Sequence, residues 1–523
     1  MDNNEIKVRN TAVCTEKTVL DTTCEQPVEK DIVLPDYYPD IFRVLRCCVT
    51  PSAEPHSVSG GKLSYDVDAK IRVWYLSEGS NRINCIEQDV GFLRSAELEN
   101  DAQDVLVKID AKCDYINCRA SGSRRLDIRG ALSIRIKAVG AVTTEIISDA
   151  KGAGIETKKE PVTYPAKRLA ATKRITLIEE LELSKNKPPI GTVLDSSCRV
   201  IPKEHKMIAG KLITKGDCEL KVMYTAGSED DNAEVQTMSY TLAFSQIIDI
   251  DGIDDDFEAD VDISCTECEI SPEQGDGSLA ECEIVLRVMC RAVKYEQEQM
   301  VTDAFSTMFD TTLTRAEGCK RTEDRMISES CEVSCTITKG EEGLGAVCGC
   351  SARCSAVSSR YDEESGRLTV YGNVCFEMLG RNSDGVPVFI EKDEAFEKEL
   401  AVDGDINGRD IEVFAETESS SYRLTGESSA DLSAVVSIKA KIRGLDETKL
   451  ISGIEIDSES EEIKTEGFCV RLCRCEQGEE LWDVAKRYRA SVEAIRAGND
   501  IDDEQTLSGV LLIPSGGTKS TAI

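Results

Sequence analysis

GKLITKGDCELKVMY, residues 210–224, is the stretch on which the reading turns. It predicts two short strands, Lys211–Thr214 and Cys218–Tyr224, around a turn at Lys215-Gly216-Asp217. Glycine suits a turn position with positive φ, where a side chain would clash. In the second strand Cys218, Leu220, Val222 and Tyr224 share one face, and Glu219, Lys221 and Met223 take the other. That alternation marks a half-buried strand. The stretch recurs as GKLSYDVDAKIRVWY at Gly61–Tyr75 and as GRLTVYGNVCFEMLG at Gly366–Gly380. The copies start 149 and 156 residues apart. Solenoid repeats run at roughly 20–50 residues, so this spacing implies duplication of whole domains.

A chain of 523 residues has room for three or four domains of roughly 100–200 residues each. With 41% apolar and 30% charged residues the composition is globular. The net charge of −35 would repel a phosphate backbone or an anionic membrane, which argues against general nucleic-acid binding. The opening MDNNEIKVRNTAV has no apolar core of a secretory signal, and no stretch reaches the roughly 18 apolar residues of a membrane span. These features predict a protein retained in the cytosol. Twenty-three cysteines without an export signal read as reduced thiols, many at alternating strand positions such as Cys218, Cys375, Cys473 and Cys475. Only Cys265-Thr-Glu-Cys268 has CxxC spacing, and no second CxxC follows at zinc-ribbon distance, so no metal site is expected.

Going outward from the recurring stretch, the expected organisation is a lead-in at 1–26, a first repeat at 27–145 and a basic, Pro-containing linker at 146–177. A second repeat at 178–300, a connector at 301–319 and a third repeat at 320–446 follow. An acidic linker at 447–466, a terminal module at 467–515 and a tail at 516–523 complete the chain. Pro39 predicts a short helix with Ile41, Val44 and Leu45 on one face, and the opening around Pro188-Pro-Ile190 of the second repeat echoes it. The third repeat lacks this Pro-x-Ile pattern, and Ser351–Val357 is its candidate short helix. The fold class is mainly β: three tandem β-rich, sandwich-like domains plus a small C-terminal βααβ module.

No constellation of catalytic residues stands out, and no cofactor is implied. His56 and His205 each lie five residues before a repeat's glycine, with Tyr361 in the third copy, so they read as a shared packing or loop position. The acidic loop Asp249–Asp256 lacks the EF-hand order and reads as solvated. Trp74 and Trp482 read as core anchors. The terminal module carries the sharpest pattern. Leu481, Val484, Ala485 and Tyr488 fall at helical spacing, with Glu479 and Glu480 at the helix start. Ser491 opens a second helix with Val492 and Ile495 inward, and Gly498-Asn499 stops it. Strands near Cys469–Cys475 and Val510–Pro514 flank the helices.

The module resembles a LysM domain through Gly478, Leu481-Trp482, Ala485-Lys-Arg-Tyr488, Val492, Ile495, Asn499, Leu507, Gly509 and Leu512-Ile-Pro514. LysM domains bind N-acetylglucosamine glycans between the loop after the first strand and the loop before the last. The resemblance therefore implies binding residues Gly478, Glu479, Glu480, Leu481, Asn499, Asp500 and Ile501. The usual loop is Gly-Asp-Thr and here reads Gly-Glu-Glu, which removes a hydroxyl and adds a carboxylate. The repeats ahead of it are similar to SPOCS-type domains, and the combination resembles the SipL family of spore coat morphogenesis proteins. This implies a non-enzymatic scaffold in the mother cell, recruited to the forespore surface. It would dock to the coat's basement-layer ATPase, SpoIVA, through its LysM module and contact other coat proteins. The alternative is a peptidoglycan-binding LysM protein of the cell wall or cortex.

Overall fold

A computed structural model describes residues 5–99, 103–227, 233–273, 278–338, 343–426, 429–457, 459, 469–475, 478–499, 501 and 509–515. The first repeat contains β1 (Lys7–Val33), β2 (Arg43–Ser59), β3 (Lys62–Leu76), β4 (Ile83–Glu97), β5 (Gln103–Gly122) and β6 (Arg125–Lys151). They form two antiparallel sheets, β2-β3-β4 and β1-β6-β5, which share one core. The second repeat runs β7 (Ile155–Glu182), β8 (Ile190–Ile208), β9 (Lys211–Ala226), β10 (Val235–Asp249), β11 (Phe257–Pro272) and β12 (Leu279–Ser306). Its sheets are β8-β9-β10 and β7-β12-β11, the same topology. After β13 (Asp310–Arg321) the third repeat adds β14 (Arg325–Thr338), β15 (Ala346–Asp362), β16 (Arg367–Arg381), β17 (Pro387–Ala401), β18 (Ile411–Leu424) and β19 (Ser429–Ile442). These pair as β15-β16-β17 and β14-β19-β18. Each repeat is thus a small sandwich whose alternating inward side chains meet between two sheets.

The stretch 210–224 corrects its own prediction. It is one strand, β9, in the middle of its sheet, and the ladder passes through Lys215, Gly216 and Asp217 without a turn. The turn lies one step earlier, at Gly210 with φ +78, and Gly61 and Gly366 hold the same place in their repeats. Gly216 serves close approach. A Cβ there would sit 2.5 Å from the Ile201 carbonyl oxygen and 2.8 Å from Cζ of Phe244, the residue opposite it on β10. Gly372 lies under Phe396 in the same way. The face Cys218, Leu220, Val222 and Tyr224 is buried as predicted.

The helix expected at Pro39 is not formed. The backbone hydrogen bonds there go outward, Ile41 N to Ser123 O and Phe42 N to Leu76 O, so no helical ladder closes. Ser351–Val357 likewise lies within β15, paired to β16. The stretch 146–177, expected as a linker, belongs to β6 and β7. β7 tolerates Pro161 and Pro165 because it is an edge strand, and it buries Val162 and Tyr164 between exposed charges. The connector 301–319 is taken up by β12 and β13, and residues 447–457 of the expected acidic linker lie in β20 (Leu445–Asp457), paired to β13. The expected lead-in supplies β1.

These corrections share a cause. The longest ladder of each repeat runs past its sandwich as a two-stranded arm. In the first two repeats it is β1/β6 and β7/β12. In the third it is broken at Gly444, whose backbone bonds to Thr322 and Asp324, giving β14/β19 and then β13/β20. The arms have no core of their own. They bury Val13 and Ile146, Val162 and Met300, and Leu450 against one another. The sandwiches close a ring as well, with β4 against β8, β10 against β15, and β17 against β2. Trp74, Met223 and Leu379, each thirteen residues after its repeat's glycine, meet in one cluster. The chain is a pseudo-threefold ring of sandwiches on a shared stem.

Candidate functional site

The C-terminal module has the expected strand-helix-helix-strand order: β21 (Cys469–Cys475), α1 (Leu481–Tyr488), α2 (Val492–Asn499) and β22 (Gly509–Ser515). Glu480 precedes α1 in extended conformation, and Arg489 ends it at φ +50. Ser491 gives α2 its first acceptor through its carbonyl, which takes the Ile495 N–H at 3.1 Å. Val484, Ala485 and Ile495 pack on Cys473, Leu511 and Ile513.

The module rests on the stem. Trp482 donates its indole N–H to Asp303 at 2.8 Å and meets Phe305 edge to face at 5.0 Å. Lys486 bonds both oxygens of Asp303, at 2.7 and 2.6 Å, and Arg489 pairs with Asp310. Burial opposes the charge on Asp303, but the bonds from Lys486 and Trp482 prevail and hold its carboxyl below the ordinary range.

Most of the candidate loop residues are engaged inside the chain. Glu479 pairs with Arg487, and Glu480 with Lys158 of β7 at 2.6 Å. Asn499 ties α2 to β22: its Nδ2 donates to the carbonyls of Ile495 and Leu512, and its Oδ1 accepts the Leu512 N–H at 2.6 Å. Leu481 and Ile501 are partly buried against the module core. Gly478 is exposed at φ +91. Asp500 and Leu507 lie outside the described residues.

A different surface is open. On the outer face of β21–β22, Leu472 stands opposite Leu512, flanked by Val470 and Val510. All four are exposed, Leu472 to 70%. Arg474, on the same face opposite Val510, has no partner among the described residues. The sequence signal was present. Val510-Leu-Leu-Ile513 is an unbroken apolar run, where a strand with one wet face alternates.

The other candidates divide between packed and exposed positions. His205 accepts or donates at 2.9 Å to Thr214 on the neighbouring strand, and burial lowers its pKa against the pull of Asp260. His56 is exposed, 3.7 Å from Asp66. Asp254, Asp255 and Asp256 bring their carboxylates within 4.8 Å of one another, the one such group found among the described residues, and Lys294 bonds two of them. Trp74 is buried and reaches across the ring to the Leu194 carbonyl at 3.0 Å. All 22 cysteines with described side chains are unpaired.

Sequence reasoning missed the centre of the ring. Glu16 of β1 accepts from Arg168 at 2.7 Å and Arg291 at 2.9 Å, both of the second repeat, and pairs with Arg443 of the third at 3.4 Å. The network borders a cavity of about 680 Å³ between the three repeats. No helix among the described residues is long and apolar enough to cross a membrane.

No curated protein and no solved structure matches the chain. Residues 189–273 match the family model described as SipL, SPOCS domain. That segment begins one residue before β8 and ends one residue after β11, and its element order recurs at β2–β5 and β15–β18. The match supports a SipL-like, sporulation-related protein built from three copies of the domain's strand pattern.

Proposed function

We propose that this chain is a non-enzymatic scaffold of the spore coat, working in the mother cell at the forespore surface. It docks to the coat's basement-layer ATPase, SpoIVA, through its LysM-like module, and the three sandwiches present further coat proteins with a rigid platform. The observation that supports docking is the bare aliphatic face Val470, Leu472, Val510 and Leu512 with Arg474 beside it. Apolar patches of this kind cost solubility and mark protein contacts. A glycan groove would instead offer free polar groups, and the polar loop side chains Glu479, Glu480 and Asn499 are already bonded.

The test is co-purification of the full chain with SpoIVA, and separately its sedimentation with insoluble peptidoglycan. The expected result is capture by the ATPase, lost in Leu472→Glu and kept in Glu480→Gln. Saturable peptidoglycan binding that Leu472→Glu leaves intact, without ATPase capture, overturns the proposal in favour of a cell-wall role.

A further inference from the structure

One loop of the first repeat is braced and yet turns its largest side chains to water. Residues 34–42 join β1 to β2, and Arg124, in the turn between β5 and β6, ties them together. Its Nη2 donates to the carbonyls of Leu34 and Pro35, and its Nη1 to the Tyr38 carbonyl and the Asp40 carboxylate. Tyr75 bonds the Pro39 carbonyl, and the N–H groups of Ile41 and Phe42 donate to Ser123 and Leu76. The aliphatic residues Leu34 and Ile41 are buried. The aromatics do the opposite: Tyr37 is 81% exposed and Phe42 67%. The Tyr37 ring lies against that of Tyr38, centroids 4.7 Å apart, and its phenol has no partner among the described residues.

The second repeat shows that the fold does not need these two rings. Leu183, Pro188 and Ile190 stand where Leu34, Pro39 and Ile41 do, each 149 residues on, and Tyr224 bonds the Pro188 carbonyl as Tyr75 bonds that of Pro39. At the places of Tyr37 and Phe42 the second repeat has Asn186 and Gly191. An aromatic ring left in water forgoes the stabilisation that burial would give it. A use other than folding therefore accounts for the difference.

We propose that Tyr37 and Phe42 are the anchors of a docking surface for a partner protein that offers an apolar cleft with a basic rim.

Aromatic side chains are enriched among the residues that anchor protein interfaces. A loop already fixed has little conformational entropy left to lose on binding. Charge selects the occupant. Asp36, beside Tyr37, is fully exposed and 4.0 Å from Arg124, and Asp40 is more than half exposed despite its bond to the same residue. Within the loop two carboxylates thus share one guanidinium, where the second repeat has Lys185 and Pro189. A second copy of this chain, at a net charge of −35, or an anionic lipid surface would be repelled, and a basic rim attracted.

The test puts the photocrosslinker p-benzoylphenylalanine at position 37 of the full chain, or at position 186 as the control, in the cells that produce the protein. Cross-linked peptides are mapped by mass spectrometry. The expected result is one partner protein, joined to position 37 through an apolar segment that carries lysine or arginine, and not joined to position 186. The yield should fall about tenfold or more in Phe42→Ala, the scale of losing one anchor. It should fall as far in Asp36→Lys, which sets cation against cation. Both side chains are exposed, so the urea midpoint of the purified chain should stay unchanged in either variant. The proposal is overturned if position 37 yields no protein product, if the product is a second copy of the chain or a lipid, or if the joined segment has no basic residue. It is equally overturned if position 186 captures the same partner, or if the yield persists in either variant.

Discussion

The phenol of Tyr224 donates to the carbonyl oxygen of Pro188 at 3.0 Å, thirty-six residues earlier in the chain. Tyr75 makes the same bond to Pro39 at 3.1 Å, again over thirty-six residues. The Pro-x-Ile openings and the ends of β3 and β9 are therefore two halves of one device, a tyrosine latch that pins the chain entering each outer sheet. In the third repeat Gly380 holds the tyrosine's place and Leu344 the proline's. A Cβ at Gly380 would lie 2.7 Å from Leu344 Cδ1, so an apolar plug stands where the latch would be.

Tyr224→Phe should remove the latch without opening a cavity. Losing one net hydrogen bond costs about 1 kcal/mol. Chemical denaturation should show that loss with an unchanged m-value. Gly380→Tyr should be much worse than Tyr224→Phe, because the ring has no room; equal midpoints for the two would refute the equivalence.

Gly216→Ala tests whether this glycine is there for space or for a turn. Overpacking of this kind costs typically ~1–3 kcal/mol. Shrinking the ring with Phe244→Leu should recover only part of it, because the Ile201 carbonyl stays 2.5 Å from the new Cβ. A double-mutant cycle reads the coupling. If Gly216→Ala stabilises the protein, as it would at an ordinary strand position, the close-approach reading fails.

Those two glycines show where sequence reasoning succeeded and where it stopped. Inward alternation at Cys218, Leu220, Val222 and Tyr224 was legible because the same chain supplies both faces of a sandwich. The role of Gly216 was not, since a turn and a close approach call for the same residue. The arms were harder still. Val162 and Tyr164 hide among Lys158, Lys159, Lys167 and Arg168, and what covers them is Met300 of their own ladder together with Val13, Ile146 and Leu450 of the other arms. A stretch whose partners lie in other repeats looks like a linker when read alone. The motif named the candidate loop, but Lys158 and Arg487, which occupy Glu480 and Glu479, are contacts that only the packed chain reveals.

Glu16 should be costly to remove. Three guanidiniums from two other repeats converge on it, and Arg168 is almost completely buried. Arg291 keeps Asp260, and Arg443 keeps Asp410 and Glu412, but Glu16→Ala leaves the buried Arg168 without its carboxylate, a loss of about 3–5 kcal/mol by analogy with other broken buried pairs. Because the pairs are shielded, the wild-type margin over Glu16→Ala should persist at 1 M salt, where surface pairs are screened. A margin that vanishes in salt would show that the axis is solvated.

Asp303 gives the module's seat a defined pH window. Its carboxyl is depressed in the folded chain, chiefly by hydrogen bonds from Lys486 and Trp482 that outweigh burial. A depressed carboxylate stabilises above its unfolded pKa of about 3.9 and loses that contribution as pH falls through the lower, folded value. The contact should therefore be constant from pH 7 to pH 5 and weaken only in stronger acid. Hydrogen exchange at α1 is the direct measurement: amides of Leu481–Tyr488 should stay protected across the neutral range. Asp303→Asn should raise their exchange at pH 7 while leaving the amides of β9, at the centre of the second sandwich, unchanged. Equal protection in Asp303→Asn and wild type would mean that the Phe305–Trp482 contact and the pairs Arg489–Asp310 and Glu480–Lys158 seat the module without it.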